Sequence, residues 1–320
     1  MKFIGVSGFG WSGSGAVVDL LREFDGYGAL GLEFRLIKDP HGISDLESSL
    51  VNNWDVLRSN KAIDDFKWFC NVLNMKGSRF TRAGENLSKK LSVDFLLETD
   101  KYIDNLTDMK YKGNSLTFSY HLSKTYLFLK KLNRWKVNRE MYFSKPTKEK
   151  FLLHTRTYLE TIFNLFMKKN NIKTLILDQT ISVTDIESSM KYFQDMKLIV
   201  VDRDPRDIYV DLVKMKALVG ADSDINKRAE RFVLWYKLIR ERLYVNENVL
   251  FLNFEDIILN YDVEIKKIQL FLGLENKHIR KKQYLNPEVS KKNIGQWKKF
   301  HNQDEIDYIY SKLKNKCYDF

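Results

Sequence analysis

Short segments dominated by apolar residues recur along this chain and predict its strands. Such runs cover residues 3–6, 173–178, 197–201 and 248–254, and a further strand is predicted over residues 30–37, before a turn that contains Pro40 and Gly42. Strands without polar alternation are typical of parallel sheets that are covered on both faces. Helical periodicity is found between and after these runs, over residues 185–196, 206–219, 224–244 and 261–272. We therefore predict an α/β fold with a central parallel sheet flanked by helices.

Residues 46–170 have a different pattern. Their apolar positions are spaced as on helices, with many Lys and aromatic residues, in segments such as 62–75, 119–135 and 147–169. Strand signals are scarce here, and Thr147 is predicted to cap the helix that follows it. The sequence thus predicts a single domain over residues 1–320, interrupted by a helical insertion at about 46–170.

The amino-acid composition indicates which ligands and which cell compartment to expect for the protein. The 320 residues include 53 Lys and Arg against 42 Asp and Glu, and the resulting net charge of +11 favours anionic ligands. Cys70 and Cys317 cannot build a disulfide framework, and the five histidines have no metal-ligand spacing, so we predict free thiols and no metal site. No signal peptide or transmembrane run is visible, and we expect a cytoplasmic protein.

The segment FIGVSGFGWSGSGAVVDLLR, residues 3–22, predicts a strand, a glycine-rich loop and a helix. Such loops hold phosphate groups because their amides and the helix N-terminus point at the anion. The bound group could belong to a dinucleotide, a nucleoside triphosphate or a 5′-phosphosulfate, and the loop alone does not choose among them. The candidate binding residues are Gly10, Trp11, Ser12, Gly13, Ser14 and Gly15.

Two of these ligands agree less well with the rest of the chain. Gly8 to Gly13 fit G-x-G-x-x-G, and Glu33 lies 20 residues past Gly13, but the strand-poor stretch after residue 45 does not supply the alternating strands of a dinucleotide fold. A Walker loop needs Lys where Ser14 stands and Ser or Thr where Gly15 stands. An NAD-dependent Rossmann oxidoreductase stays open as an alternative, and a kinase is weaker.

Three distant segments together resemble the sulfotransferase family that uses 3′-phosphoadenosine 5′-phosphosulfate (PAPS). Ser12-Gly13-Ser14-Gly15 is similar to the family's R/K-S-G-[ST] loop. Residues 198–207 (LIVVDRDPRD) resemble its strand and R-D-P-R-D turn, and residues 290–298 (SKKNIGQWK) resemble its late basic loop with G-x-W-K. Residues 253–257 (NFEDI) and 271–274 (FLGL) are like its Y-E-D-L and F-L-G-L. The resemblance covers roughly the first 45 and the last 140 residues, but not 46–170.

This resemblance implies a P-loop NTPase-like sulfotransferase fold, PAPS as an anionic nucleotide donor, and no metal. It places the 5′-phosphosulfate at residues 10–15 and the 3′-phosphate at Arg203, while Lys291, Lys292 and Asn293 complete the site. Two positions depart from the family. Trp11 stands where a Lys or Arg meets the phosphosulfate, and Asp211 stands where a Ser binds the 3′-phosphate. A carboxylate at Asp211 would repel a phosphate unless a nearby cation neutralises it.

The acceptor hydroxyl or amine needs a general base. In relatives that sulfate heparan-type glycans, a Glu at the end of strand two follows the Ser or Thr of the loop by 19 residues, and Glu33 follows Ser14 at this distance. His41 is the second candidate, because histidine side chains titrate near neutral pH. The ordinary alternatives are a strand-end carboxylate paired with Arg35 and a surface histidine.

The resemblance leaves the acceptor open, because one fold serves many substrates. The insertion is the predicted acceptor-binding subdomain. We expect a glycan, a glycolipid or a small alcohol as acceptor and no nucleic acid as partner. A non-catalytic basic glycan-binding relative of sulfotransferases is a further alternative.

Overall fold

A computed structural model describes residues 2–77, 84–115, 117, 124–125, 128, 139–274 and 278–319 of the chain. The chain forms two compact units. Unit 1 consists of residues 1–34, 171–190 and 195–320, and unit 2 of residues 35–170 and 191–194. Most of the predicted helix at 119–135 lies outside the described residues.

The described residues form seven strands and thirteen α-helices, numbered in chain order. The strands are β1 (Phe3–Gly8), β2 (Tyr27–Glu33), β3 (Met109–Gly113), β4 (Arg139–Phe143), β5 (Thr174–Asp178), β6 (Lys197–Asp202) and β7 (Val249–Asn253). The helices are α1 (Ser14–Leu21), α2 (Ile43–Glu47), α3 (Val56–Asn74), α4 (Leu87–Leu91), α5 (Phe95–Leu106), α6 (Lys148–Lys169), α7 (Ile186–Met190), α8 (Pro205–Met215), α9 (Ile225–Leu238), α10 (Phe254–Leu259), α11 (Tyr261–Leu272), α12 (Pro287–Ser290) and α13 (Gln303–Leu313). None of these helices is long and apolar enough to cross a membrane.

The central element of unit 1 is a five-stranded sheet with the order β2-β5-β1-β6-β7. Every neighbouring pair in it is parallel. Helices α1, α10 and α11 pack on this sheet through one buried apolar cluster, and α8, α9 and α13 form a second cluster. The predicted α/β fold with a central parallel sheet flanked by helices is therefore confirmed.

Strand β2 begins and ends earlier than the sequence predicts. It covers Tyr27–Glu33 instead of residues 30–37. The carbonyls of Leu36 and Ile37 accept hydrogen bonds from the amides of Ile43 and Ser44, at 2.9 and 3.1 Å. Residues 36–37 therefore close a turn onto the start of α2, although their apolar side chains continue the strand pattern.

Helix α7 is shorter than the predicted helix at 185–196, because it ends at Met190. The next four residues belong to unit 2. There the Tyr192 hydroxyl donates to Glu47, and the Arg156 guanidinium donates to the Lys191 carbonyl at 2.8 and 3.1 Å. These tertiary contacts override the helical periodicity of the segment. Helices α8 and α9 also end before their predicted limits, at Met215 and Leu238.

The described residues of unit 2 are mainly helical. In its core the rings of Tyr102 and Tyr158 stack at 4.7 Å, and their hydroxyls bond to Thr155 and Thr99 at 2.8 Å. The antiparallel pair of strands β3 and β4 was not predicted, because four of the five residues of β3 are exposed and the segment has no continuous apolar run. Cys70 is a buried free thiol, and burial raises its pKa to about 12.

Candidate functional site

The carboxyl ends of the unit 1 strands lie along one edge of the sheet, because all five strands are parallel. Strand β1 lies between β5 and β6, where the strand order changes direction. Open α/β sheets bind ligands outside the carboxyl ends at such a position. Two predicted binding segments leave the sheet here. They are the glycine loop (residues 9–13) after β1 and the R-D-P-R-D turn (residues 203–207) after β6.

The glycine loop has left-handed backbone at Gly10, Trp11 and Gly13, with φ values of 85°, 53° and 83°. It leads into α1, which begins at Ser14 without a side-chain cap and without an acidic residue in its first turn. The Ser12 hydroxyl is buried and has no hydrogen-bond partner among the described residues. Free helix-terminal amides beside an unsatisfied hydroxyl are well suited to an anion.

Close packing fixes two glycines of this region. A Cβ atom at Gly8 would lie 2.0 Å from the Ser12 hydroxyl, and one at Gly13 would lie 2.5 Å from the Phe254 ring. A Cβ atom at Gly15 would meet no atom within 4 Å. The loop is thus tightly held against α10, while the first turn of α1 borders open space.

Arg203 connects three segments at this edge. Its Nη1 donates to the Trp11 carbonyl at 3.1 Å and to the Asp211 carboxylate at 2.6 Å. Its Nη2 donates to the Asn293 carbonyl at 2.6 Å. The side chain is only 5% exposed, and its buried Nε has no partner among the described residues. Arg203 thus holds the glycine loop, α8 and the late basic loop (residues 290–298) together.

The predicted donor-binding residues differ in how closely the structure brings them together. Trp11, Arg203, Asp211 and Asn293 form one connected group, in which Asp211 is the ion-pair partner of Arg203. Ser14 lies apart from this group and accepts a hydrogen bond from Gln179 at 2.9 Å. Lys291 and Lys292 are exposed on the 3₁₀ turn that ends at Asn293.

Asp207 holds the late basic loop and was not recognised from the sequence. Its carboxylate accepts hydrogen bonds from the amides of Gly295 and Trp297, at 2.7 and 3.0 Å. Burial raises the pKa of Asp207. Arg206 pairs with Asp204 and lies 3.9 Å from the centroid of the Trp297 ring. Asp207 and Arg206 therefore support the late basic loop. In the sequence, only the R-D-P-R-D pattern pointed to them.

The two candidate bases lie in different units. Glu33 is exposed at the end of β2, opposite Asp178 in the register of unit 1. His41 belongs to unit 2, where it has a left-handed φ of 66° and donates its amide to Asp45 at 2.7 Å. Its ring meets Trp68 edge-on at 5.7 Å. A cavity of about 210 Å³ in unit 2 is lined by His41, Asp45, Leu46, Ser48, Ser49, Ala62 and Asp65.

Glu255, at the start of α10, is another buried acid at this edge. It accepts a hydrogen bond from the Asp204 amide at 3.0 Å. Burial raises the pKa of Glu255 from its ordinary value of 4.5 to about 7. Between these pH values the folded protein keeps a proton that the unfolded chain has released. The contribution of Glu255 to stability is therefore complete below pH 4.5 and is lost as the pH rises through about 7.

We expect Glu255→Gln to remove this loss. The difference in unfolding free energy between the variant and the unsubstituted protein should grow in favour of the variant by roughly 1–3 kcal/mol as the pH rises from 4.5 to about 7. Urea unfolding at a series of pH values measures the difference. Glu247→Gln, at an exposed position of the same unit, is the control and should show no such trend. Parallel pH profiles for Glu255→Gln and the unsubstituted protein would contradict the prediction.

Among the described residues, no group of three or more His, Cys, Asp or Glu side chains could hold a metal ion.

Comparisons with solved structures find several similar chains at low sequence identity. The sulfotransferase domain of the curacin biosynthetic pathway is similar with a TM-score of 0.43 and 11% identity, covering 98% of each chain. Mouse sulfotransferase SULT7A1 complexed with PAP has a TM-score of 0.32 and 17% identity, covering 48% of this chain and 70% of that one. Retinol dehydratase with androsterone and the inactive cofactor PAP has a TM-score of 0.34 and 14% identity, covering 99% and 82%.

A comparison with curated protein sequences finds no match. The assignment comes from a family model, described as the sulfotransferase family, which matches residues 96–278. The match covers more than half of the chain and includes β6, the R-D-P-R-D turn and most of the region that the motif resemblance left unmatched. The chain belongs to the sulfotransferase family.

Proposed function

We propose that this chain transfers a sulfuryl group from PAPS to a hydroxyl or amine, and that the glycine loop, Arg203 and the late basic loop bind the donor. Family membership implies transferase activity in general. The observation that carries the finer proposal is the Arg203 guanidinium, which joins the glycine loop to the late basic loop at the carboxyl edge of the sheet. Two anion-binding loops beside one arginine suit a nucleotide with two separate phosphate groups.

Two unsatisfied buried groups support an anionic donor at this place. The Ser12 hydroxyl and the Arg203 Nε are buried without a partner among the described residues. Buried polar groups normally have hydrogen-bond partners, so each is suited to an oxygen of a bound phosphate or sulfate. PAP, the desulfated donor, is bound in the structures of mouse SULT7A1 and retinol dehydratase, and we extend this ligand class to the present chain as part of the proposal.

PAPS supplies an activated sulfuryl group whose leaving group is PAP. The amides of residues 13–15 and the dipole of α1 would stabilise negative charge on the transferring group and on the leaving oxygen. Trp11 brings no cation to the loop, so Lys291 or Lys292, exposed on the turn before Asn293, would supply one. The proton of the acceptor passes to a carboxylate or an imidazole of the chain.

Glu33 is the proposed base. Glu33→Gln should lower kcat for sulfuryl transfer by roughly a hundredfold or more, because a positioned base contributes about 10²–10⁴ to the rate. PAP affinity should stay unchanged, because the substitution leaves the donor site intact. His41→Gln is the matched variant in the other unit and should have the smaller effect on kcat. A larger loss in His41→Gln would assign the proton transfer to the histidine.

We propose a glycan, a glycolipid or a small alcohol as the acceptor, a cytoplasmic reaction, and unit 2 as the acceptor-binding part. Support comes from the cavity beside His41, which offers carboxylates and serine hydroxyls next to the 58% exposed ring of Trp68. Hydroxyl-rich ligands bind to such polar groups and to the faces of aromatic rings. Unsulfated glycans and small alcohols are accordingly the acceptors to supply in the kcat measurements.

Thermal unfolding with added nucleotides tests the donor assignment. A ligand that binds only the folded state raises the midpoint in proportion to the logarithm of its concentration. We expect PAP to raise the midpoint and NAD and ATP to leave it unchanged. Stabilisation by NAD without stabilisation by PAP would instead favour the dinucleotide interpretation of the glycine loop.

A further inference from the structure

The ion pair between Arg203 and Asp211 neutralises the cation that the proposed donor needs. Asp211 lies in α8, eight residues after Arg203, and its Oδ2 is 2.6 Å from Nη1 of the arginine. Its Oδ1 accepts a second hydrogen bond from Gln296 at 3.4 Å. The two side chains are 5% and 23% exposed, so water screens the pair only partly.

A phosphate that binds Arg203 would have to approach this carboxylate. The other hydrogen bonds of the guanidinium go to the carbonyls of Trp11 and Asn293, which carry no net charge. A phosphate bonded to the same guanidinium lies within a few ångströms of Asp211, where two negative charges repel strongly in a partly buried setting. Acidic side chains at ribose sites accept hydrogen bonds from ribose hydroxyls, whereas unpaired arginines accommodate ribose phosphates.

We infer that Asp211 is a specificity-determining residue, which competes with the 3′-phosphate of the donor for Arg203. This inference rests on the proposed donor site. In the unsubstituted protein, a nucleotide with a 3′-phosphate should bind only slightly more tightly than one with a free 3′-hydroxyl. The reason is that the phosphate must replace the Asp211 carboxylate as the partner of Arg203. Removing the charge of Asp211 frees the guanidinium for the 3′-phosphate.

Calorimetric titration with PAP and with adenosine 5′-phosphate tests this inference, because the two ligands differ only in the 3′-phosphate. Asp211→Asn keeps an oxygen that accepts a hydrogen bond from Arg203 but removes the charge. We expect it to raise the ratio of PAP affinity to adenosine 5′-phosphate affinity by about tenfold or more. The affinity for adenosine 5′-phosphate should not rise, because this ligand brings no 3′-phosphate to the freed guanidinium.

Asp222→Asn is the matched control, because Asp222 is an equally half-buried carboxylate that pairs with the exposed Arg231 in the same unit. It should leave both affinities unchanged. Asp211→Ser provides a second, smaller uncharged side chain in case the Asn variant does not fold. An unchanged or lower affinity ratio in a folded Asp211 variant would overturn the inference and leave the donor site standing. Failure of PAP to bind any of the proteins would overturn the proposed function, and the inference with it.

Discussion

Arg203→Ala is expected to abolish PAP binding and to destabilise unit 1. The guanidinium bonds to Trp11, Asp211 and Asn293, so its removal disconnects the two loops and leaves Asp211 without its ion-pair partner. Breaking a largely buried pair costs roughly 3 kcal/mol of unfolding free energy. The uncompensated Asp211 carboxylate would then repel the 3′-phosphate, and the two loops would no longer be joined, so PAP affinity should fall by roughly a hundredfold or more. Calorimetric titration and urea unfolding measure the two effects.

Two further variants separate the role of charge from that of folding. Arg231→Ala removes an exposed arginine of the same unit, which is paired with Asp222. It should change the free energies of unfolding and of PAP binding by no more than about 1 kcal/mol. Arg203→Lys keeps the charge without the planar fork and should bind PAP with intermediate affinity. A folded Arg203→Ala variant that binds PAP as tightly as the unsubstituted protein would show that Arg203 does not contact the donor.

Gly13→Ala is expected to have the second largest effect, because both its backbone and its surroundings exclude a side chain. The residue has a φ of 83°, and a Cβ atom would lie 2.5 Å from the Phe254 ring. The strained backbone and the overpacking together should lower the unfolding free energy by roughly 3 kcal/mol. The displaced loop should also lose affinity for PAP. Urea unfolding and calorimetric titration of the same preparation measure both losses.

Gly10 and Gly15 provide matched controls for this substitution. Gly10→Ala has a similar φ of 85° but no atom within 4 Å of its Cβ position, so it isolates the backbone strain. Gly15→Ala lies in α1 with open space around it and should be neutral or more stable by about 0.5 kcal/mol, since Ala favours helices over Gly. Equal losses for Gly13→Ala and Gly15→Ala would exclude the Phe254 contact as the cause.

The strands were predictable where burial is continuous and unpredictable where it is absent. Strands β5 and β6 are buried over most of their length, and their apolar residues indicated them directly. Strand β3 has exposed residues at four of five positions and gave no such signal. The end of α7 depends on a hydrogen bond from the distant Arg156 to Lys191, and the end of β2 on a turn that residues 36–37 form with residues 43–44. Periodicity reveals neither.

The site was predictable as a set of segments but not as a set of contacts. Motif order indicated that the glycine loop, the R-D-P-R-D turn and the late basic loop act together, and Arg203 does join them. The sequence indicated that Asp211 would oppose a phosphate, but not that it pairs with Arg203 itself. Asp207 binds amides 88 and 90 residues away, a distance that no local pattern spans.

Calorimetric titration of the unsubstituted protein with PAP, NAD and ATP tests the central claim most directly, because it needs no knowledge of the acceptor. The account predicts that PAP binds at one site per chain and that NAD and ATP do not bind. Binding of NAD or ATP in place of PAP, or no binding of PAP, would contradict the assignment of this edge of the sheet as the PAPS site.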